Sequence, residues 1–163
     1  MHVVQKGLGP IPETFEAYYL DGGDGAIAVG NVVCYKHDED MTAQAGEFDE
    51  LERFKVVVKP KTANLDFFAG VIVGITRRVG TGTNYSSFVR IQRLKHGAVA
   101  KALVKANATA ASTVLKPVND SWALEADATT DIATQLSRWS TAIAGETANT
   151  SSTAAVKTVY GVR

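Results

Sequence analysis

Apolar residues along this chain come in short runs that alternate with polar ones, punctuated by Gly, Pro and Asn/Asp turn chemistry. Strand-like runs separated by turn signals every ~8–12 residues predict a sandwich or barrel. In FVRIQRL, Val89 and Ile91 fall on one face while Arg90 and Gln92 fall on the other, because successive side chains of a strand point to opposite sides. Phe88 and Leu94 break the alternation by joining the polar face. His96-Gly97 marks a turn. Beyond it Ala98, Ala100, Ala102 and Val104 make a small apolar face opposite Val99, Lys101, Leu103 and Lys105. TVLKPV and SWALEA continue the meander around an Asn119-Asp120 turn.

Earlier in the chain, AIAVGNVVCY and FKVVVKP read as strands, the first bent at Gly30 and the second stopped by Pro60. Residues 65–75, LDFFAGVIVGI, form the most apolar run; β-branched content makes it a core strand, and it is too short to span a bilayer. The chain closes on AAVKTVYGVR, a last strand with Val156, Tyr160 and Val162 on one face.

Two segments leave this rhythm. In residues 1–20, Gly7, Gly9, Pro10 and Pro12 disfavour helix and central strand, yet Ile11, Phe15, Tyr18, Tyr19 and Leu20 are too apolar for a free tail. An extended N-terminal arm is expected there, lying over a groove of its own domain or reaching a neighbouring subunit, with residues 21–163 as a single β-rich domain. Between 130 and 144, Ile132, Leu136, Trp139 and Ile143 recur at helical spacing, with Thr130 or Asp131 as a cap and Gly145 as a stop. The expected fold is mainly β: a compact antiparallel β-sandwich or β-barrel with the arm and one short helix near 130–144.

Composition sharpens this. The chain has 163 residues, enough for one domain with a real core. Ala and Val dominate over Leu, which suits stacked sheets. Seventeen basic and seventeen acidic residues cancel, so no global field draws nucleic acid or an anionic membrane, and neither is expected as a partner. The lone Cys34, inside VVCY, permits no intramolecular disulfide and reads as a buried small hydrophobe. The N-terminal stretch lacks the pattern of a secretory signal, so synthesis and retention in a cytoplasm-like compartment are expected.

Candidate chemistry is sparse. His2, His37 and His96 are scattered and none has a second His or Cys at ligand spacing. Asp38, Glu39 and Asp40 miss the alternation of a calcium loop and read as a solvated charge run. Gly80 and Gly82 lack the lysine of a phosphate loop, leaving a hairpin tip that carries Arg77 and Arg78. There is no G-x-S-x-G elbow. Trp122 and Trp139 read as packing residues. The expectation is a protein that is not an enzyme, with no catalytic, metal or cofactor residues.

GDGAIAVGNVV (23–33), DFFAGVIVG (66–74), HGAVAKALVKANATAASTVLKPV (96–118) and WALEA (122–126) together resemble the small β-rich head decoration, or cement, proteins of tailed phages. The resemblance covers residues 22–126 and the last strand; the arm, the acidic loop at 37–53 and the 129–144 segment depart from it. It implies a homotrimer on the outer surface of an assembled capsid, bridging major capsid protein subunits, with the virion as its location after synthesis in the host cytoplasm. Under it, Pro10, Ile11, Pro12, Phe15, Tyr18 and Tyr19 of the arm, with Arg77, Arg78 and Trp139, are the expected partner contacts. The alternative is a carbohydrate- or cell-surface-binding β-module using Trp122, Trp139 and the Gly80–Tyr85 tip.

Overall fold

The computed structural model describes residues 14–20, 23–36, 56–79, 86–95, 97–105, 114–127, 142–144 and 153–161. Among them are ten strands: β1 (Thr14–Tyr19), β2 (Val32–Tyr35), β3 (Val56–Val58), β4 (Phe68–Val79), β5 (Ser86–Gln92), β6 (Val99–Val104), β7 (Val114–Pro117), β8 (Leu124–Ala126), β9 (Ala142–Ala144) and β10 (Ala155–Gly161). A short 3-10 helix, Thr62–Phe67, precedes β4. The strands close into two rings, β1-β3-β2-β4-β5 and β10-β6-β8-β7-β9. The expected β-barrel is therefore present, and it occurs twice.

A ring with an odd number of strands cannot alternate direction all the way round, so at least one junction must be parallel. In the first barrel that junction is β1–β3, with Tyr18 opposite Val56 and Tyr19 opposite Val57. In the second it is β6–β8, with Val104 opposite Leu124. All other junctions are antiparallel.

The connectivity is the same in both. Taken in chain order within each ring, the first strand pairs with the third and fifth, the second with the third and fourth, and the fourth with the fifth. Register repeats as well. The cross-strand row Val32–Val71–Gln92–Thr14 of the first barrel corresponds to Val114–Ile143–Tyr160–Val99 of the second. The second barrel is thus a topological repeat of the first.

Alternation decides which side chains fill each ring. Ala17, Tyr19, Val33, Val57, Ile72, Val89 and Ile91 make the first core. Ala100, Ala102, Val104, Leu115, Leu124 and Val159 make the second, joined by Val32 and Val71 from the outer wall of the first barrel. That shared cluster fuses the barrels, since each buried Val or Leu is worth about 1.5–3 kcal/mol relative to exposure. A backbone seam runs alongside. The Gly30 N–H donates to the Ile72 carbonyl at 2.8 Å, and the Leu103 N–H donates to the Gly30 carbonyl at 2.7 Å. Gly30 has φ 95°, and a Cβ there would lie 3.3 Å from Val156 Cγ2, so glycine fits both the bend and the close approach. The bend expected at Gly30 is real, but strand pairing begins only after it, at Val32.

Four expectations need correction. The proposed arm overlaps the barrel: Thr14–Tyr19 is β1, paired along its whole length with β5. Its alternating Phe15, Ala17 and Tyr19 supply an inward face, and without β1 the first ring would have two open edges. Residues 1–13 lie outside the described residues. The expected helix ends in strand, because Ala142–Ala144 is β9, which pairs with both β7 and β10 and closes the second ring; the stretch 128–141 lies outside the described residues. Arg77 and Arg78 are not in a tip. They lie on β4, opposite Phe88 and Ser87, and the strand reaches that far by absorbing two register shifts as it curves round the barrel. The apolar run expected as strand from residue 65 starts as 3-10 helix and becomes strand only at Phe68.

Candidate binding surfaces

Closure of both rings leaves side chains, not strand edges, as the means of contact. On β1 the odd positions point inward and the even ones outward. Tyr19 is fully buried and packs against Trp122, ring centroids 5.6 Å apart. It is a core residue and not a surface contact, which corrects its expected role. Tyr18 points out and meets Phe88 edge-on at 5.3 Å; Phe88 is 42 % exposed. Phe15, half-buried at the start of the strand, stacks on Tyr35 at 6.1 Å. The Arg93 guanidinium sits 4.7 Å from the Phe15 ring centre, and its Nη2 donates to the Tyr35 hydroxyl at 3.2 Å. Two of the expected partner contacts, Phe15 and Tyr18, are therefore in aromatic clusters at the surface of the first barrel. Pro10, Ile11, Pro12 and Trp139 lie outside the described residues.

The second barrel carries an apolar ribbon on its outer wall. On the outward faces of β6 and β10, Val99 stands opposite Tyr160, Lys101 opposite Thr158 and Leu103 opposite Val156. Val99, Val156 and Tyr160 are roughly half exposed. At its edge a groove of about 320 Å³ lies between the barrels, walled by Val29, Val73 and Gln92 on one side and by Val99 and Lys101 on the other. The signal for this surface was visible in the chain: Val156 and Tyr160 share a face of β10, but their alternation does not say which face points into the ring.

A polar clasp holds the barrels on another side. The β7–β8 turn places Asp120, at φ 53°, against the segment after β3. The Lys59 ammonium donates to the Asp120 carboxylate at 2.7 Å, the Asp120 N–H to the Pro60 carbonyl at 2.8 Å, and the Thr62 N–H to Asn119 Oδ1 at 2.9 Å. Lys59 also lies 5.7 Å over the Trp122 ring. The hydrogen bond from Lys59, and then its charge, hold the Asp120 carboxyl below its usual 3.8. With one ring contact to Tyr19 and one to Lys59, Trp122 is a packing residue, as its place in the sequence suggested.

Nucleophile and metal chemistry find little support among the described residues. Burial pushes the Cys34 thiol up to about 12, with the Asp66 charge adding to it, so the thiolate is absent near neutral pH. No group of three His, Cys, Asp or Glu is placed to hold a metal ion among the described residues. Comparison with protein-family models, with curated proteins and with solved structures gives no match to this chain.

Proposed function

We propose that this protein is a structural virion component that binds the outer surface of an assembled phage capsid, bridges major capsid protein subunits and stabilises the shell. It acts there as a homotrimer, without enzymatic activity. The observation that carries this reading is the fused pair of barrels: they share a buried cluster and expose apolar side chains on both halves, Phe88 on one and Val156 and Tyr160 on the other. A bridge between subunits needs two contact regions held at a fixed separation. The resemblance in the Ala/Gly/Val strands supports the same reading. Its mechanism is mass action: a ligand that binds the assembled lattice and not loose subunits stabilises the lattice, by about 2.7 kcal/mol at a hundred times its Kd.

Co-sedimentation with assembled capsids, followed by their thermal disruption, tests the proposal. Bound protein should raise the disruption temperature, and Phe88→Glu should weaken binding. Removing residues 1–13, which leaves β1 intact, measures what the N-terminal segment adds; a deletion through residue 20 would also destroy the first barrel. Absence of wild-type protein from the capsid pellet sinks the reading. The carbohydrate-binding alternative loses one of its platforms, since Trp122 is already held between Tyr19 and Lys59.

A further inference from the structure

Closure accounts for the strand edges within each ring, but β4 runs on past it. Its partner on one side, β2, pairs with Phe68, Gly70 and Val71. One further step is bridged by the turn before β2, where the Gly30 N–H donates to the Ile72 carbonyl at 2.8 Å and the Ile72 N–H donates to the Asn31 carbonyl at 2.9 Å. The chain turns away there, with the Asn31 N–H bonded back to the Ala28 carbonyl at 3.2 Å. On its other side β4 stays paired with β5 as far as Val79. From Val73 onward β4 therefore has a paired strand on one side only among the described residues.

Register says which groups face the open side. In an antiparallel pair, successive residues alternate between pointing their backbone groups at the partner and away from it. Ile72, opposite Ile91, gives both of its groups to Gly30 and Asn31, so it points away from β5. Val89 lies two residues from Ile91 on β5, so its partner on β4, Ile75, points away from β5 as well. Among the described residues nothing bonds the Ile75 N–H or carbonyl on that side. The groove between the barrels reaches this edge at Val73; Val29, next to Gly30, and Val99 line it with apolar surface, and Lys101 is the ionisable residue among its described walls. β4 itself carries Arg77 and Arg78 and no acid.

We propose that the β4 edge at Val73–Thr76 docks an extended, acidic segment of a partner protein, which adds to the first barrel as a strand. An open N–H and carbonyl on one strand residue are matched together by another extended backbone, and side chains on alternate positions of the added strand then supply specificity. The segment continues the row that Gly30 and Asn31 begin, accepting from the Ile75 N–H and donating to the Ile75 carbonyl. Apolar side chains on one of its faces cover Val29, Val73 and Val99. Its carboxylates answer the cations of Lys101, Arg77 and Arg78. The same cations oppose pairing of this edge with its copy in a second molecule, because like charges across a strand pair are destabilising. The site stands independently of capsid binding.

The probe is a short blocked peptide of alternating Val and Glu, titrated into the isotope-labelled full chain and followed by amide NMR. Shifts should centre on Val73–Thr76 and the groove, and the Ile75 amide should gain protection from hydrogen exchange. A fully N-methylated version keeps every side chain and should bind at least about tenfold more weakly, the worth of one or two backbone hydrogen bonds. Ile75→Pro removes an N–H that no ladder bond uses, as an edge strand permits, and should lose the peptide with an unchanged circular dichroism spectrum. Lys101→Glu, on the exposed face of β6, leaves β4 untouched and should weaken the Val/Glu peptide while strengthening a Val/Lys one. Absence of binding, equal binding of the methylated peptide, or shifts centred elsewhere overturns the proposal. So does equal binding of the Val/Glu and Val/Lys peptides to wild type. A wild-type mass above monomer that Ile75→Pro abolishes would mean that the edge pairs with a second copy, and overturns it too.

Discussion

Replacing Gly70 by Ala measures how tightly the first barrel is closed. Gly70 sits in β4 at φ 146°, and a Cβ there would lie 2.3 Å from the Gln92 carbonyl oxygen and 2.8 Å from Ile91 Cγ2. Real Cβ contacts essentially never fall under 3.0 Å, so β4 and β5 must part by about 0.7 Å, the gap between 2.3 and 3.0. The obstructing atom is backbone, and Gln92 is paired with both Val71 and Thr14. Moving it disturbs a rung on either side, each worth about 1 kcal/mol. The positive φ adds about 1–2 kcal/mol for a residue with a Cβ. The total is about 3–4 kcal/mol.

Gly23→Ala supplies the comparison, since Gly23 also has positive φ, at 88°, but nothing lies within 4 Å of its would-be Cβ. It should lose only the conformational part, about 1–2 kcal/mol. Urea unfolding followed by far-ultraviolet circular dichroism reads both variants. For a chain of this length each kcal/mol moves the thermal midpoint by roughly 2–4 °C. The midpoint should therefore fall by roughly 6–16 °C for Gly70→Ala and by roughly 2–8 °C for Gly23→Ala. Equal losses in the two variants would mean that the β4–β5 approach carries no steric constraint.

Other outcomes follow from the same geometry. Leu124→Ala, at a fully buried position in the second core, should cost about 2–5 kcal/mol in denaturant unfolding, whereas Val156→Ala on the exposed ribbon should stay within about 0.5 kcal/mol. Cys34 should be inert to a thiol reagent in the native protein at pH 8, because burial holds the thiol up at about 12; one equivalent should react once urea unfolds the chain, and rapid native reaction would contradict its burial. The Asp120 carboxyl has a lowered value in the fold, so its contribution to stability is present above 3.8, its ordinary value, and is lost as pH falls through the folded one. Wild type should accordingly lose more stability between pH 6 and pH 3 than Lys59→Met, in which the partner that lowers it is gone; identical acid profiles would remove the clasp from the account.

Much of the barrel wall was legible one strand at a time. Alternation put Val89 and Ile91 on one face of β5, and Ala100, Ala102 and Val104 on one face of β6, and those faces are the buried ones. The turn chemistry at Asn119-Asp120 and the bend at Gly30 were equally local and stand where the chain placed them. The candidate surface was less legible. Phe15 and Tyr18 stood out as aromatics near the N-terminus, but the alternation that exposes Tyr18 also buries Tyr19, and it becomes informative only once β1 is known to be a strand.

The class of fold is written locally in the chain, because period-two alternation, small β-branched residues and spaced turns are properties of neighbouring positions. Tertiary structure alone decided which strands pair, since a pairing is a contact between positions far apart in the chain. Val104 meets Leu124 and Thr14 meets Gln92 only after the loops between them close. That is why the repeat of one barrel by the next was not visible. Corresponding rows read Val-Val-Gln-Thr and Val-Ile-Tyr-Val, a likeness held in hydrogen-bond register and not in side-chain identity. It also decided the difference between those rows. A barrel covers Val32, Val71 and Gln92 of one and leaves Tyr160 and Val99 of the other about half exposed, and burial by a neighbouring barrel leaves no mark on the local pattern of the strand beneath it.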